Sequence, residues 1–243
     1  MTIIYRFLTI LCQLEKIKIS VVGNSVAIRI RPREENGQVY SLILKDLMSN
    51  SGIKEVIVSN LSVSRLITEE VIDDKDHFLN NDQEITIINL GCVDAPTRDI
   101  PLWFSDIIFN RRGKLLQAIF NPIYQYVIPK FRSKLVRMRG YNSWVSLDRF
   151  NINMDEIISS LVGKSKIVVL GINPGNERIE KQLPKTLTRY RLYNEVLQSV
   201  CNNHGITFIS TLDLKSEEYF PDGVHYNRVG HQLIAGRIFD SLI

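Results

Sequence analysis

Five short apolar runs constrain this chain more than any other feature. They are Lys18–Gly23, Lys54–Asn60, Glu84–Gly91, Lys166–Ile172 and Ile206–Ser210, each rich in Val or Ile and almost unbroken. A strand exposed on one face alternates polar and apolar residues. A continuous run is the pattern of a strand covered on both faces, as in a parallel sheet. Helical periodicity fills the gaps. The segment QVYSLILKDLMSN places Val39, Leu42, Ile43 and Leu47 on one face. In TLTRYRLYNEVLQSVCNNHG, Leu187, Tyr190, Val196 and Val200 turn inward, and Gly205 is a helix stop. The last helix is NRVGHQLIAGRIFDSLI. Regular alternation of strand and helix predicts a three-layer α/β/α sandwich on a five-stranded parallel sheet. At 243 residues the chain suits one such domain, 1–243, with a full core.

One segment interrupts the alternation. More than seventy residues separate the third and fourth runs, where a crossover needs far fewer. Within it, residues 107–147 contain no Asp or Glu but hold Arg111, Arg112, Lys114, Lys130, Arg132, Lys134, Arg137 and Arg139. This stretch carries +8, which leaves −4 for the rest of a chain of net charge +4. Aromatic residues are interleaved, among them Phe109, Phe120, Tyr124, Phe131 and Trp144. The pattern predicts a helical insertion or lid over about 99–150. Two readings stand for it: a solvated helical excursion, or a surface that meets an anionic partner such as an acidic glycan, a lipid headgroup or a phosphorylated substrate.

In a parallel sheet the ligand site lies beyond the carboxyl ends of the strands. The residues expected there are Gly23-Asn24-Ser25, then Ser62, then Val93 and Asp94, then Asn173, and finally a loop reaching Asp222 and His225. Ser25, His225 and Asp222 are the three groups an acyl-transfer triad requires. A serine hydroxyl needs a base to take its proton, and imidazole titrates in the right range. A carboxylate then sets the imidazole tautomer and stabilises the imidazolium. Asp222 and His225 are three residues apart, so one turn of chain can set them side by side. A serine at a strand-to-helix corner also aims its own N–H at a developing oxyanion.

The blocks VVGNS and PDGVHYNRVGHQLIA resemble those of the SGNH hydrolases, the GDSL esterase/lipase family. The likeness covers most of the chain outside the basic insertion and implies a flavodoxin-like fold. It implies Ser25 as nucleophile, His225 as base and acid, and Asp222 as its orienting carboxylate. Three positions depart from the family pattern. Asn24 stands where the family has Asp. Ser62 replaces a glycine whose N–H serves the oxyanion, and its own N–H, beside that of Ser25, is expected to take that role. In Gly91-Cys92-Val93-Asp94, Val93 replaces the asparagine whose side chain completes the oxyanion hole. Losing one such donor typically costs on the order of 10²–10³ in rate. Asn24 and Asn173 are the nearest candidate replacements.

The resemblance implies a serine esterase acting on O-acyl groups of a carbohydrate or lipid, with no metal or cofactor. The alternative is a non-catalytic or acyltransferase-like relative that binds a glycan or acyl donor. The insertion inclines the substrate toward an anionic one. A nucleotide-binding module is disfavoured, because GINPGN lacks the lysine and spacing of a phosphate loop. The net charge alone does not argue for nucleic acid. Cys12, Cys92 and Cys201 lack metal-type spacing and read as buried free thiols in a reducing, cytoplasmic compartment. Residues 1–16 read as an amphipathic segment packing on the domain, with a secretion signal as the minority reading. No stretch has the ~20 apolar residues of a spanning helix. His77, His204 and His231 are expected to be structural, and Arg29, Arg31 and Arg98 to be exposed, with a place facing the substrate as the alternative reading. Oligomeric state is not legible.

Overall fold

The computed structural model describes residues 16–33, 36–80, 82–109 and 114–243. The expectations for the N-terminal segment, Cys12, Arg111 and Arg112 lie outside them. The five runs form five parallel strands in the order β2-β1-β3-β4-β5. Their bounds are β1 Lys16–Gly23, β2 Glu55–Asn60, β3 Ile85–Asn89, β4 Lys166–Leu170 and β5 Thr207–Ile209. The main helices are α1 Tyr40–Asn50, α2 Thr68–Asp73, α3 Lys75–Leu79, α4 Leu102–Phe109, α5 Lys114–Pro122, α6 Ile128–Met138, α7 Leu147–Leu161, α8 Glu177–Gln182, α9 Thr186–His204, α10 Ser216–Tyr219 and α11 Arg228–Leu242.

Every residue of β3 is buried, as are the last five of β1, whereas edge strand β2 is exposed at Glu55, Ser59 and Asn60. This explains why the central runs lack alternation: helices cover both faces. Two helix pairs flank the sheet, α1 with α11 and α7 with α9. Ile19, Val21, Ile87, Val168 and Val169 are fully enclosed between them. Each such side chain contributes about 1.5–3 kcal/mol relative to exposure. Helix α9 ends on Gly205 in the left-handed region at φ 64°, as its sequence predicts.

The buried stripe of α1 is centred on Tyr40, Leu44 and Met48; of the expected face, Ile43 and Leu47 pack at its edge and Leu42 is exposed. Tyr40 decides the phase. Its ring packs edge-on against Tyr226, at 6.5 Å, and beside His231, at 5.8 Å. An aromatic ring at the first helical position outweighs the smaller aliphatic residues on the alternative face.

The insertion is helical. Pro122 and Pro129 bracket a π-type turn, Ile123–Val127, where missing amide donors widen the helix. Many of its aromatics pack on one another, as Phe104 does with Phe120 and Phe109 with Tyr124. Polar ties hold it to the body: Arg132 Nη1 donates to Gln182 Oε1, Arg139 Nε to the Arg98 carbonyl, Ser143 Oγ to the Ala95 carbonyl, and Arg189 Nη2 to the Tyr141 carbonyl. No helix among the described residues is long and apolar enough to cross a membrane.

Candidate active site

The carboxyl ends of β1, β2 and β3 lie level with one another: Val21 pairs with Asn60, and Gly23 with Asn89. The chain leaves β1 at Gly23, where a Cβ would come within 3.0 Å of the Asn89 carbonyl oxygen and 3.1 Å of Ser62 Oγ. Only glycine fits so close an approach. Asn24 then caps a single 3₁₀ turn, Ser25–Ala27, by accepting from the Val26 N–H. The same oxygen accepts from the Cys92 thiol at 3.0 Å. Asn24 is therefore a buried scaffold for the corner that presents Ser25, and its Nδ2 has no partner among the described residues.

At the other end of the chain, Asp222 begins a tight turn. Its Oδ1 accepts from the backbone N–H of Val224 at 2.9 Å and of His225 at 2.8 Å. Gly223 sits at φ 81°, where a Cβ would strike Asn176. With Oδ1 so engaged, Oδ2 faces the ring of His225, 2.8 Å from Nδ1. The opposite ring nitrogen, Nε2, lies 2.9 Å from Ser25 Oγ, across 200 residues of sequence. Burial pushes the Asp222 carboxyl up, but the bonds from the His225 ring, the two backbone amides and the imidazole charge outweigh it and hold the group down at about 2. It stays ionised under ordinary conditions. Imidazole is then fixed with hydrogen on Nδ1 and a lone pair on Nε2 toward the serine hydroxyl.

Arg31 adds a contact that sequence reading missed. Expected to be exposed, it is only 18% exposed and lies 3.4 Å from Asp222 Oδ2 through Nε. Its N–H also donates to the Tyr226 carbonyl, so the segment after Ser25 is clasped to the segment after His225. A nearby arginine in a polar strip has no distinguishing mark in a sequence. Arg29 Nη2 donates to Ser64 Oγ on the surface. His231 is structural: its Nδ1 accepts from the Tyr40 N–H and its Nε2 donates to the Arg29 carbonyl, both at 3.1 Å.

Ser25 opens on a cavity of about 190 Å³ whose walls include Cys92, Val93, Arg98, Trp144 and Tyr190. Val93 puts an apolar wall where the resemblance expects a donor. Two other candidate donors are already engaged. The Ser62 N–H donates to Asn60 Oδ1 at 3.1 Å, and Asn173 Nδ2 donates to the Val224 carbonyl at 2.6 Å. Among the described residues nothing accepts from the Ser25 N–H. Burial and the nearby Asp94 push the Cys92 thiol up to about 12, so it remains a neutral thiol beside the serine. Asp94 itself accepts from the Thr68 N–H and hydroxyl, and burial pushes it up to about 6. Both described cysteines are free and buried. Among the described residues no group of three or more His, Cys, Asp and Glu is arranged to hold a metal.

No family model matches the chain, and no curated protein matches it in sequence. Solved structures do match its fold. A lipase/acylhydrolase from Enterococcus faecalis superposes with a TM-score of 0.64 at 17% identity, over 93% of this chain and 94% of the other. The acetylxylan esterase Axe2 from Geobacillus stearothermophilus gives 0.61 at 16% identity over the same shares. LAE5, an α/β hydrolase enzyme from the metagenome of Lake Arreo, gives 0.60 at 13% identity, again over those shares. The protein thus has the fold of these hydrolases over nearly its whole length, insertion included, in agreement with the motif resemblance.

Proposed function

We propose that the protein is a serine hydrolase of carboxylic esters in which Ser25 is the nucleophile, His225 the general base and acid, and Asp222 the orienting carboxylate. The reading rests on one observation: an unbroken relay of contacts, 2.9 Å and 2.8 Å long, from Ser25 Oγ through the imidazole to Asp222. Both lie within the reach that nucleophilic catalysis needs. That the structures sharing the fold include a lipase/acylhydrolase and an acetylxylan esterase supports the same chemistry.

The reaction runs in two halves. Ser25 Oγ attacks the ester carbonyl as its proton passes to His225 Nε2. The Ser25 N–H steadies the developing oxyanion. The intermediate collapses, and His225 returns the proton to the departing alcohol. Water next attacks the acyl-enzyme with His225 again as base, which frees the acid and restores the serine. With Val93 in the wall, this oxyanion site has fewer donors than the family pattern supplies, so turnover is slow rather than absent. The cavity of about 190 Å³ is smaller than the ~300–1,000 Å³ of most small-molecule sites. It accommodates a short acyl group, such as acetyl, better than a long chain.

The test is pre-steady-state hydrolysis of 4-nitrophenyl acetate. Wild type should release a burst of nitrophenolate equal to the enzyme concentration, and Ser25→Ala should release none. Equal rates for the two proteins would remove Ser25 as nucleophile.

A further inference from the structure

We propose that Arg65 and Arg98 form a carboxylate-binding wall in the Ser25 cavity, so that the substrate is a short ester carrying a carboxylate close to the scissile bond. The substrate statement rests on the esterase reading; the binding statement does not.

Both arginines line the cavity onto which Ser25 opens. Neither is in an ion pair among the described residues. Arg98 Nη2 donates to the Val93 carbonyl, and Arg65 Nη2 donates to the Ser105 hydroxyl, both neutral acceptors. Asp99, adjacent to Arg98 in sequence, is engaged by Arg132. Each guanidinium therefore stands at the cavity with no carboxylate in contact with it among the described residues. A partly buried cation in that state is costly unless an anion binds it.

The surroundings hold the two guanidinium groups in place. Arg98 lies over the Trp144 ring at 3.8 Å, and Arg65 over the Phe109 ring at 3.6 Å and within 5.3 Å of Trp144. Stacking fixes the guanidinium planes and leaves their edges for hydrogen bonds, the arrangement that suits a planar carboxylate. Arg65 is held at φ 72°, in the left-handed region, which costs about 1–3 kcal/mol and marks a position set by its surroundings. Both side chains line the same small cavity and the Arg98 charge acts on Arg65 through space, so a bound anion offsets their mutual repulsion. The remaining walls, including Val93, Pro96 and Val224, are apolar, and the small volume keeps the carboxylate within a few bonds of the ester.

The test measures binding without turnover. Ser25→Ala protein is titrated calorimetrically with succinate, neutral succinamide and inorganic phosphate. Succinate should bind at least tenfold more tightly than succinamide and more tightly than phosphate. Arg65→Met and Arg98→Met, each in the Ser25→Ala background, should lose at least tenfold. If Arg98→Met fails to fold, Arg98→Lys and Arg65→Met carry the comparison, with Lys retaining part of the affinity. Equal binding of succinate and succinamide, or undiminished binding by Arg65→Met, overturns the wall. Tighter binding of phosphate overturns its assignment to carboxylate. A protein that binds succinate but hydrolyses no ester keeps the wall and loses the esterase reading. One that hydrolyses 4-nitrophenyl acetate but ignores succinate does the reverse.

Discussion

Replacing Asp222 by Asn tests the triad more sharply than deleting any member. The side chain keeps its shape, so the turn decides how the amide must point. One oxygen of Asp222 already accepts two backbone amides, at 2.9 Å and 2.8 Å. In the variant only the carbonyl oxygen can occupy that place, because an NH₂ group there would face two donors. The amide nitrogen is then forced into the position of Oδ2, 2.8 Å from His225 Nδ1. It donates to Nδ1, which must become the acceptor. The ring proton moves to Nε2, and Nε2 can no longer accept the proton of Ser25. The wrong tautomer typically costs about 10⁴ in kcat, which corresponds to about 5.4 kcal/mol in the barrier. The assay is kcat for 4-nitrophenyl acetate at pH 7–8, with thermal unfolding of both proteins as the control for folding. A loss below about tenfold in a folded variant would refute the tautomer argument and Asp222 with it.

Arg31→Met should lower kcat about fivefold at unchanged KM, since its contact with Asp222 Oδ2 is long and partly solvated, worth about 1 kcal/mol; Arg31→Lys should recover part of the rate, and a change confined to KM would place Arg31 at the substrate instead. Val93→Asn supplies a side-chain donor beside Ser25 and should raise kcat about tenfold or more, measured with the same ester; an unchanged rate would show that position 93 does not face the oxyanion. Stability between pH 6.5 and 4 reflects two opposed groups. Burial lowers His231 to about 4, so its contribution is present above pH 6.5 and is lost as the pH falls toward 4. Burial raises Asp94 to about 6, so its contribution is full below pH 3.8 and is lost as the pH rises through 6. Each spans about 3 kcal/mol and the two nearly cancel. Against wild type, the Tm of His231→Gln should therefore improve by several degrees from pH 7 to 4.5, while that of Asp94→Asn should worsen. Parallel shifts of both variants would contradict the assignment.

The strands were legible because burial on both faces leaves a local mark: IVVL, residues 167–170, is apolar throughout, and it lies in the sheet interior. The end of α9 at Gly205 was legible for the same reason, a backbone preference carried by a single residue. Ser25, Asp222 and His225 were legible as candidates because turn chemistry and side-chain chemistry coincide in short blocks. The phase of α1 was not. It depends on which ring reaches Tyr226 and His231, and these lie far along the chain. Nor was the use of the candidate oxyanion donors. Ser62 and Asn173 are polar residues at strand ends, yet Asn60 and Val224 occupy them.

The arginines show the division most plainly. In sequence, Arg31, Arg65 and Arg98 look like any solvated cation. Folding brings Arg31 against Asp222, and it sets Arg65 and Arg98 against aromatic rings supplied by the insertion. Sequence by itself determined the layered fold and the chemical types at the strand ends, because those follow from local periodicity and turn preference. Tertiary structure alone decided which charges meet which partners, because an electrostatic contact depends on distances between residues that the chain separates by tens or hundreds of positions.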